Sequence, residues 1–493
     1  MIIFEENWSM ANFKALAKDT AIYGVSSIVG RFLNYLLVPL YTYKITAASG
    51  GYGVVTELYA YTALLLVILT YGMETTFFRF ANKEGEDPRQ VFSTILRMVG
   101  TTSALFAGLV LAFLGPISRG MGYAGHPAFV GAMAATVALD AFQAILFAYL
   151  RYQKKAIKFA SLKLLFIFLN ITLNLVYFVV LPKLGAVSTL NVGYVFYINL
   201  FCTATITFFF AKELKGITYG FDGALMRRML AYTWPLLILG IAGILNQTAD
   251  KILFPHIYPG DDAKMQLGIY GAASKIAMIM AMITQAFRYA YEPFVFGGAK
   301  EKDSRETYAK GMRYFLVFTL LAYLCVLAFL PVLRYIISPE YWDGLRVVPI
   351  VMAAEILMGV YFNLSFWYKL SDRTLWGAVF SGVGCAVLIG VNLVLVPRIG
   401  YMGCAWGGVA GYGSAMILSY LVGQRYEPVN YRVPVLLAYV ALTAALSLLV
   451  LWSGDHLGRI GSLALNTLAV LAFAGVVFRV ELQPVLRARH NVS

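Results

Sequence analysis

The sequence predicts an all-α polytopic membrane protein of about 14 transmembrane helices. The helices are expected as two pseudo-symmetric six-helix halves plus two C-terminal helices, around a central cavity. Three observations predict this. Of the 493 residues, 60% are hydrophobic and 13% charged, where a soluble chain carries about 25% charged residues. Apolar runs, each long enough to cross a bilayer, repeat along the whole length. Finally, the first twelve runs repeat in order after roughly half of them.

The runs place spans near 18–40, 52–74, 91–114, 127–150, 159–181, 186–211 and 229–254. They continue near 266–290, 312–331, 345–368, 375–396, 401–423, 432–452 and 460–480. The N-terminus meets Glu5 and Glu6 too early for a signal peptide, so the chain is expected to keep it. With the N-terminus inside, the inner loops hold most of the basic residues, among them Arg79, Lys83, Arg89, Arg151, Lys154, Lys155, Lys158, Arg227 and Arg228. The outer loops hold few, such as Lys44, Arg119, Lys183, Lys264, Arg398 and Arg459. Cytoplasmic loops carry such an excess, so the net charge of +14 needs no nucleic-acid partner. Both termini are expected in the cytoplasm.

The domain scheme follows. Residues 1–17 form a cytoplasmic segment and 18–211 the first half. Residues 212–228 form a cytoplasmic linker and 229–424 the second half. Residues 425–493 form the appended helix pair and tail. A shift of 218 residues superposes Tyr52 and Gly53 on Tyr270 and Gly271, Glu74 on Glu292, Arg151 on Lys369, and Asn174 on Asn392. Leu181 to Gly185 (LPKLG) echoes Val396 to Gly400 (VPRIG) in the same way. Six helices per half give both halves one orientation, an arrangement found in secondary transporters with the substrate path between the halves.

Ionisable residues inside the spans are costly and point to partners or aqueous cavities. Arg97 and Asp140, echoed by Arg313 and Glu355, lie at depths that differ by about a turn. They read either as structural ion pairs joining neighbouring helices or as part of a transport path. In the first and seventh spans, Arg31 and Asn34 share a face, as do Gln247 and Asp250 or Lys251. Arg31 lies ~12 Å below the outer surface, deep for snorkelling. It pairs with an acid such as Glu57 or Asp250, or faces the path and binds an anion through its forked donors. Glu57 maps onto Lys275, and the two are expected to form an outer gate if the halves close over a cavity. Gln285, Arg288 and Glu292 form a stripe at helical spacing.

Other chemistries find little support. Cys202, Cys325, Cys385 and Cys404 lie in apolar segments without metal-ligand spacing and read as packing residues. The four histidines are scattered, so no metal site is expected. No phosphate-binding Gly-x4-Gly-Lys-Ser/Thr motif is present, and the loops are too short to fold as catalytic domains. An enzyme is therefore not expected.

Several local patterns resemble one family. Gly30-Arg31-Phe32 and Pro39-Leu40 close the first span, and Gly51-Tyr52-Gly53 opens the second. The stretch from Gly72 to Phe80 (GMETTFFRF) ends the second span, Tyr232 and Pro235 open the seventh, and Asp250-Lys251 lies near its end. Gly268-Ile269-Tyr270 and Glu292-Pro293-Phe294 bracket the eighth. Together they resemble the Wzx-type oligosaccharide flippases of the multidrug/oligosaccharidyl-lipid/polysaccharide flippase superfamily, over roughly residues 15–425. The resemblance implies movement of undecaprenyl-diphosphate-linked oligosaccharide repeat units across the bacterial cytoplasmic (inner) membrane for O-antigen, capsule or exopolysaccharide assembly. Arg31, Asn34, Gln247, Lys251, Lys275 and Arg288 would line a cavity for the diphosphate and glycan. Asp250, then Asp140 and Glu57, would serve coupling to Na+ or H+ or gating. No other cofactor is expected; membrane lipid and other polysaccharide-assembly proteins are the further partners. A lone Arg31 in the first span departs from lipid II flippases, which carry several arginines there. A multidrug antiporter of the same superfamily and a non-transporting scaffold of a polysaccharide-synthesis complex stand as alternatives.

Overall fold

The computed structural model describes residues 35–215, 220–297, 304–371 and 373–483. Among these residues every regular element is a helix, and eleven helices are long and apolar enough to cross a membrane. Only helices satisfy their own backbone groups within a single segment there. The described end of the first expected span is α1 (Leu37–Lys44). It is followed by α2 (Gly51–Thr70), α3 (Met73–Ala81), α4 (Pro88–Ala112), α5 (Pro127–Tyr152), α6 (Ala156–Leu175) and α7 (Gly193–Phe208). Next come α8 (Gly223–Ile257), α9 (Ala263–Gly297), α10 (Ser304–Ala328), α11 (Val348–Leu364), α12 (Leu375–Ile399) and α13 (Tyr401–Tyr426). The appended pair is α14 (Val433–His456) and α15 (Arg459–Val477). Helix α7 is a shorter apolar helix. Helix α13 runs 26 residues but is diluted by glycine, and it is not among the eleven.

Two boundaries differ from the sequence expectation for local reasons. The second span does not run straight through residue 74. It breaks after Thr70, where Tyr71 and Gly72 both take positive φ (32° and 76°), and restarts as α3. Gly72 adopts the left-handed region without the penalty a side chain brings. The seventh span starts earlier than residue 229. The Asp222 carboxylate accepts the backbone N–H groups of Ala224 and Leu225, both at 2.9 Å, and caps α8 there. Helices α8 and α9 each run 35 residues, roughly 50 Å at ~1.5 Å per residue, so both extend well past a ~30 Å hydrocarbon core.

The chain divides into two compact units, residues 1–46 with 54–244 and residues 47–53 with 245–493. The division falls inside α8. The first unit packs α3, α4, α5 and the start of α8 around Met73, Phe77, Phe92, Ile145 and Met229. Phe92 and Tyr149 stack at 3.8 Å. Lipid tails are as apolar as these side chains, so close packing and internal hydrogen bonds hold the helices together. Gln143 of α5 donates to the Thr203 carbonyl at 2.7 Å and to the Thr207 hydroxyl at 2.8 Å on α7. Tyr41 donates to Asn174 at 2.9 Å, tying α1 to α6.

In the second unit α12 and α13 approach backbone to backbone. Gly403, Gly407 and Gly411 recur every fourth residue on α13, a small-residue stripe that allows such an approach. A Cβ on Gly411 would lie 2.8 Å from the Gly384 carbonyl oxygen, and one on Gly407 would collide with the Asn392 amide oxygen. The appended pair belongs to this unit. Asn466 of α15 donates to the Ala328 carbonyl at 3.0 Å and accepts from Ser453 of α14 at 2.7 Å. Gly407→Leu is expected to force α12 and α13 apart at a cost of about 1–3 kcal/mol or more. A lowered thermal unfolding midpoint of the purified protein would show this, and an unchanged midpoint would contradict the packing described.

Candidate functional site

A run of charge inside an apolar helix bundle needs internal partners, and the second unit supplies them around Asp250. The second part of α8 carries Asp250, which is buried. Tyr270 of α9 donates its hydroxyl to the Asp250 carboxylate at 2.6 Å. The Lys251 ammonium lies 3.0 Å from both carboxylate oxygens and donates to the Gln247 carbonyl at 2.9 Å. It also sits 5.6 Å from the centre of the Tyr270 ring. Lys275, further along α9, lies close enough to Lys251 for the two charges to repel. Glu355 of α11 faces the charges of both Lys251 and Asp250. Tyr412 of α13 donates to the Asn246 carbonyl at 3.0 Å and borders Glu355 and Asp250. Two lysines and two carboxylates from three helices thus share one polar cluster with no net formal charge, an arrangement that lowers the cost of holding charge away from water.

The first unit holds a smaller cluster. Asp140 of α5 accepts a hydrogen bond from Thr203 of α7 at 3.3 Å, and its neighbouring cation is Lys163 of α6. Lys163 rests 4.0 Å over the Phe147 ring. Asn199 donates to the Tyr59 hydroxyl at 2.8 Å beside it. Sequence reasoning misses Lys163. A lysine within the predicted 159–181 span, on the helix following that of Asp140, is the available signal.

The two ion pairs expected within the repeat do not form as expected. Arg97 is exposed on α4, and Asp140 turns instead to Thr203 and Lys163. Arg313 pairs with Glu481 beyond α15, its Nε donating at 2.7 Å, and Tyr439 donates to the same carboxylate at 2.6 Å. Glu355 is left to the Asp250 cluster. Depth along a helix follows from the sequence, but rotation about the helix axis sets which neighbour each residue faces.

The remaining predicted residues fall as follows. Arg31 and Asn34 lie outside the described residues. Gln247 has an exposed side chain. Arg288 stacks 4.1 Å over Phe362 of α11, and Lys369 lies 4.2 Å over the same ring. Glu57 is fully buried and accepts the Tyr123 hydroxyl at 2.6 Å. Glu74, half exposed, forms an ion pair with Arg151 at 2.7 Å.

Beside the second-unit cluster runs an apolar groove of about 740 Å³ between α10, α11, α13 and α14. Leu316, Tyr323, Ile356, Met416, Leu436 and Leu448 are among the side chains lining it. Helix α11 is common to both features. Glu355 belongs to the charged cluster, while Ala353, Ile356 and Leu357 on either side of it line the groove.

The fold has counterparts among solved structures. The lipid II flippase MurJ in an inward closed conformation superposes with a TM-score of 0.70 at 12% identity, covering 93% of this chain and 98% of that one. An inward-facing multidrug resistance MATE family transporter of the MOP superfamily gives 0.63 at 15% identity, covering 85% and 98%. The MATE multidrug transporter DinF-BH gives 0.59 at 19% identity, covering 85% and 97%. A comparison with curated proteins finds no match. The likenesses define the class, a multi-pass helical membrane protein with the fold of flippase-type transporters. Residues 16–290 match the family model described as polysaccharide biosynthesis protein, and the chain belongs to that family.

Tyr270→Phe removes the short hydrogen bond to the buried Asp250. It should lower stability by about 1–3 kcal/mol, the usual range for a hydrogen bond to a charged group. Denaturant unfolding of the purified variant measures the loss, and an unchanged midpoint would remove Tyr270 from the support of Asp250.

Proposed function

We propose that this protein is a flippase that carries undecaprenyl-diphosphate-linked oligosaccharide repeat units across the bacterial cytoplasmic membrane by alternating access, coupled to an inward-moving proton or sodium ion. The observation that carries this reading is the double role of α11, which walls a charged cluster on one side and an apolar groove on the other. A lipid-linked glycan has the same division, with a diphosphate and sugars at one end and hydrocarbon at the other. Membership of the polysaccharide biosynthesis protein family supports the cargo class. The groove falls within the ~300–1,000 Å³ of ligand cavities and suits a stretch of polyprenyl chain.

Unaided passage of the head group through hydrocarbon is prohibitive, because its polar atoms lose water without replacement. Lys251 and Lys275 would supply replacement donors and charge. Lys251 is held by Asp250 at 3.0 Å. A cation or proton arriving at Asp250 would neutralise the carboxylate and free Lys251 for a diphosphate. Loss of that cation would return Lys251 to Asp250 and favour release. Arg31 would add a forked donor for phosphate oxygens. The N- and C-termini would lie in the cytoplasm, as the charge bias requires.

One alternative, a cation-coupled multidrug antiporter, draws support from the likeness in fold to MATE transporters. Two lysines in the cluster suit an anion better than a cationic drug. Three variants separate the readings: Lys251→Met for the head site, Arg31→Ala for the first helix, and Ala444→Trp to fill the groove. Each is expected to lower delivery of lipid-linked oligosaccharide to the outer leaflet by roughly tenfold or more if it removes a charge-assisted contact or blocks the tail, with normal membrane insertion. Unchanged delivery in all three would sink the mechanism. Cells lacking the protein that flip the lipid-linked glycan normally but retain cationic dyes would favour the antiporter.

A further inference from the structure

Arg334 and Arg459 meet at one end of the second unit, far along the chain from each other. Arg334 opens the short helical turn Arg334–Ile336 that follows α10, and Arg459 opens α15. The Arg334 guanidinium lies 4.2 Å over the Trp342 ring and 5.3 Å from the centre of the Tyr335 ring. That of Arg459 lies 5.4 Å from the centre of the same tyrosine ring. Both donate to the Tyr335 hydroxyl, Arg334 at 3.5 Å and Arg459 in a closer contact. The Trp342 indole is held in place by donating to the carbonyls of Arg334 at 3.0 Å and Ile337 at 3.3 Å.

Two guanidiniums converging on one hydroxyl repel each other, and no carboxylate among the described residues pairs with either. Asp343 pairs with Arg346 at 3.3 Å, and Glu340 accepts the backbone N–H of Ala47 at 2.8 Å. The Nε of Arg334 is buried without an acceptor among the described residues, a state that polar atoms seldom keep without a bound partner. The hydrogen bonds from Arg334 and Arg459 hold the exposed Tyr335 hydroxyl below its ordinary pKa, so the local field already favours an anion.

Position narrows the anion. Tyr335 and Trp342 meet edge to face at 5.4 Å, and such aromatic residues sit at headgroup level in membrane proteins. Arg459 precedes the last span on the side that the charge bias places outside. We infer that Arg334, Arg459 and Tyr335 form a binding site for phosphate oxygens at the outer membrane surface, with a lipid headgroup as the bearer of the phosphate. Forked guanidinium donors match phosphate geometry, and the phosphate would separate the two like charges. The site is distinct from the Asp250 cluster and stands whether or not the cargo is a lipid-linked glycan.

The test uses the full purified chain in detergent, with retained lipid counted by native mass spectrometry. The probes are phosphatidylglycerol, diacylglycerol (which lacks the phosphate) and inorganic phosphate as competitor. The intact protein should retain phosphatidylglycerol and not diacylglycerol. Arg334→Gln with Arg459→Gln should weaken retention by roughly tenfold or more, since each arginine gives a charge-assisted hydrogen bond. The single Arg459→Gln change, at an exposed position, should weaken it in the same direction and guards against misfolding of the double variant. Arg334→Lys with Arg459→Lys, which keeps the charges, should retain part of the binding. If inorganic phosphate displaces the lipid and protects the intact protein but not the variants against heat, the site holds and free phosphate is its source. Equal retention by intact protein and Arg459→Gln, or equal retention of diacylglycerol, would overturn the proposal.

Discussion

The absence of water in the bilayer core is the constraint on which the rest of the structure depends. A carboxylate placed there must find donors within the protein, and this chain meets the need with tyrosine. Glu57 takes the hydroxyl of Tyr123, Asp250 that of Tyr270, and Glu481 that of Tyr439, each at 2.6 Å. A phenol brings a strong donor on a largely apolar body, so it satisfies one carboxylate oxygen without adding a further charge. The two carboxylates that also hold a cation, Asp250 with Lys251 and Glu481 with Arg313, carry a tyrosine in addition. Tyrosines of membrane proteins commonly serve as interfacial anchors. At these three positions they are the internal solvent of the charges.

The elements were legible in the sequence and the partnerships were not. Apolar runs marked the spans because length and hydropathy are properties of a segment taken alone, and the charge of each loop set an expected orientation. A partnership depends on which way a helix is turned, and successive residues on a helix rotate by roughly 100°. Arg97 and Asp140 belong near one depth, yet Arg97 is exposed and Lys163 takes its place beside Asp140. Arg313 finds Glu481, 168 residues away, at a position that depth alone could not single out. Asp250, Lys251, Lys275 and Glu355 each stand out as costly residues, but their assembly into one cluster depends on how α8, α9 and α11 pack. Gly72 shows the same limit within one segment. Its left-handed backbone breaks a run that hydropathy reads as continuous.

The repeat also explains why the two units differ in chemistry. Positions matched by the sequence repeat carry different residues. Glu57 answers to Lys275, and Asn34 answers to Asp250. The first unit sets Asp140 beside Lys163, with Glu74 and Arg151 also acting on that lysine, while the second gathers Asp250, Lys251, Lys275 and Glu355. A site able to exchange partners needs more than one of each sign, because removing a cation from a lone buried pair leaves an uncompensated charge that costs several kcal/mol. In the second cluster Lys251 can leave Asp250 with Tyr270 and another lysine still nearby.

The appended helices add a second asymmetry. The groove has four walls, and the fourth is α14, whose Leu436, Val440, Ala444, Ser447 and Leu451 face it at helical spacing. Helix α14 lies outside the repeat, so the repeat alone does not build this groove. Its attachment is specific, since Asn466 and Ser453 lock one end of the pair and the Glu481 contacts to Arg313 and Tyr439 lock the other. Polar bonds of this kind hold where apolar contact with lipid would compete equally well. The consequence is an apolar wall next to the Asp250 cluster. A cargo with one hydrocarbon end and one charged end would be held by its tail while its head group moves.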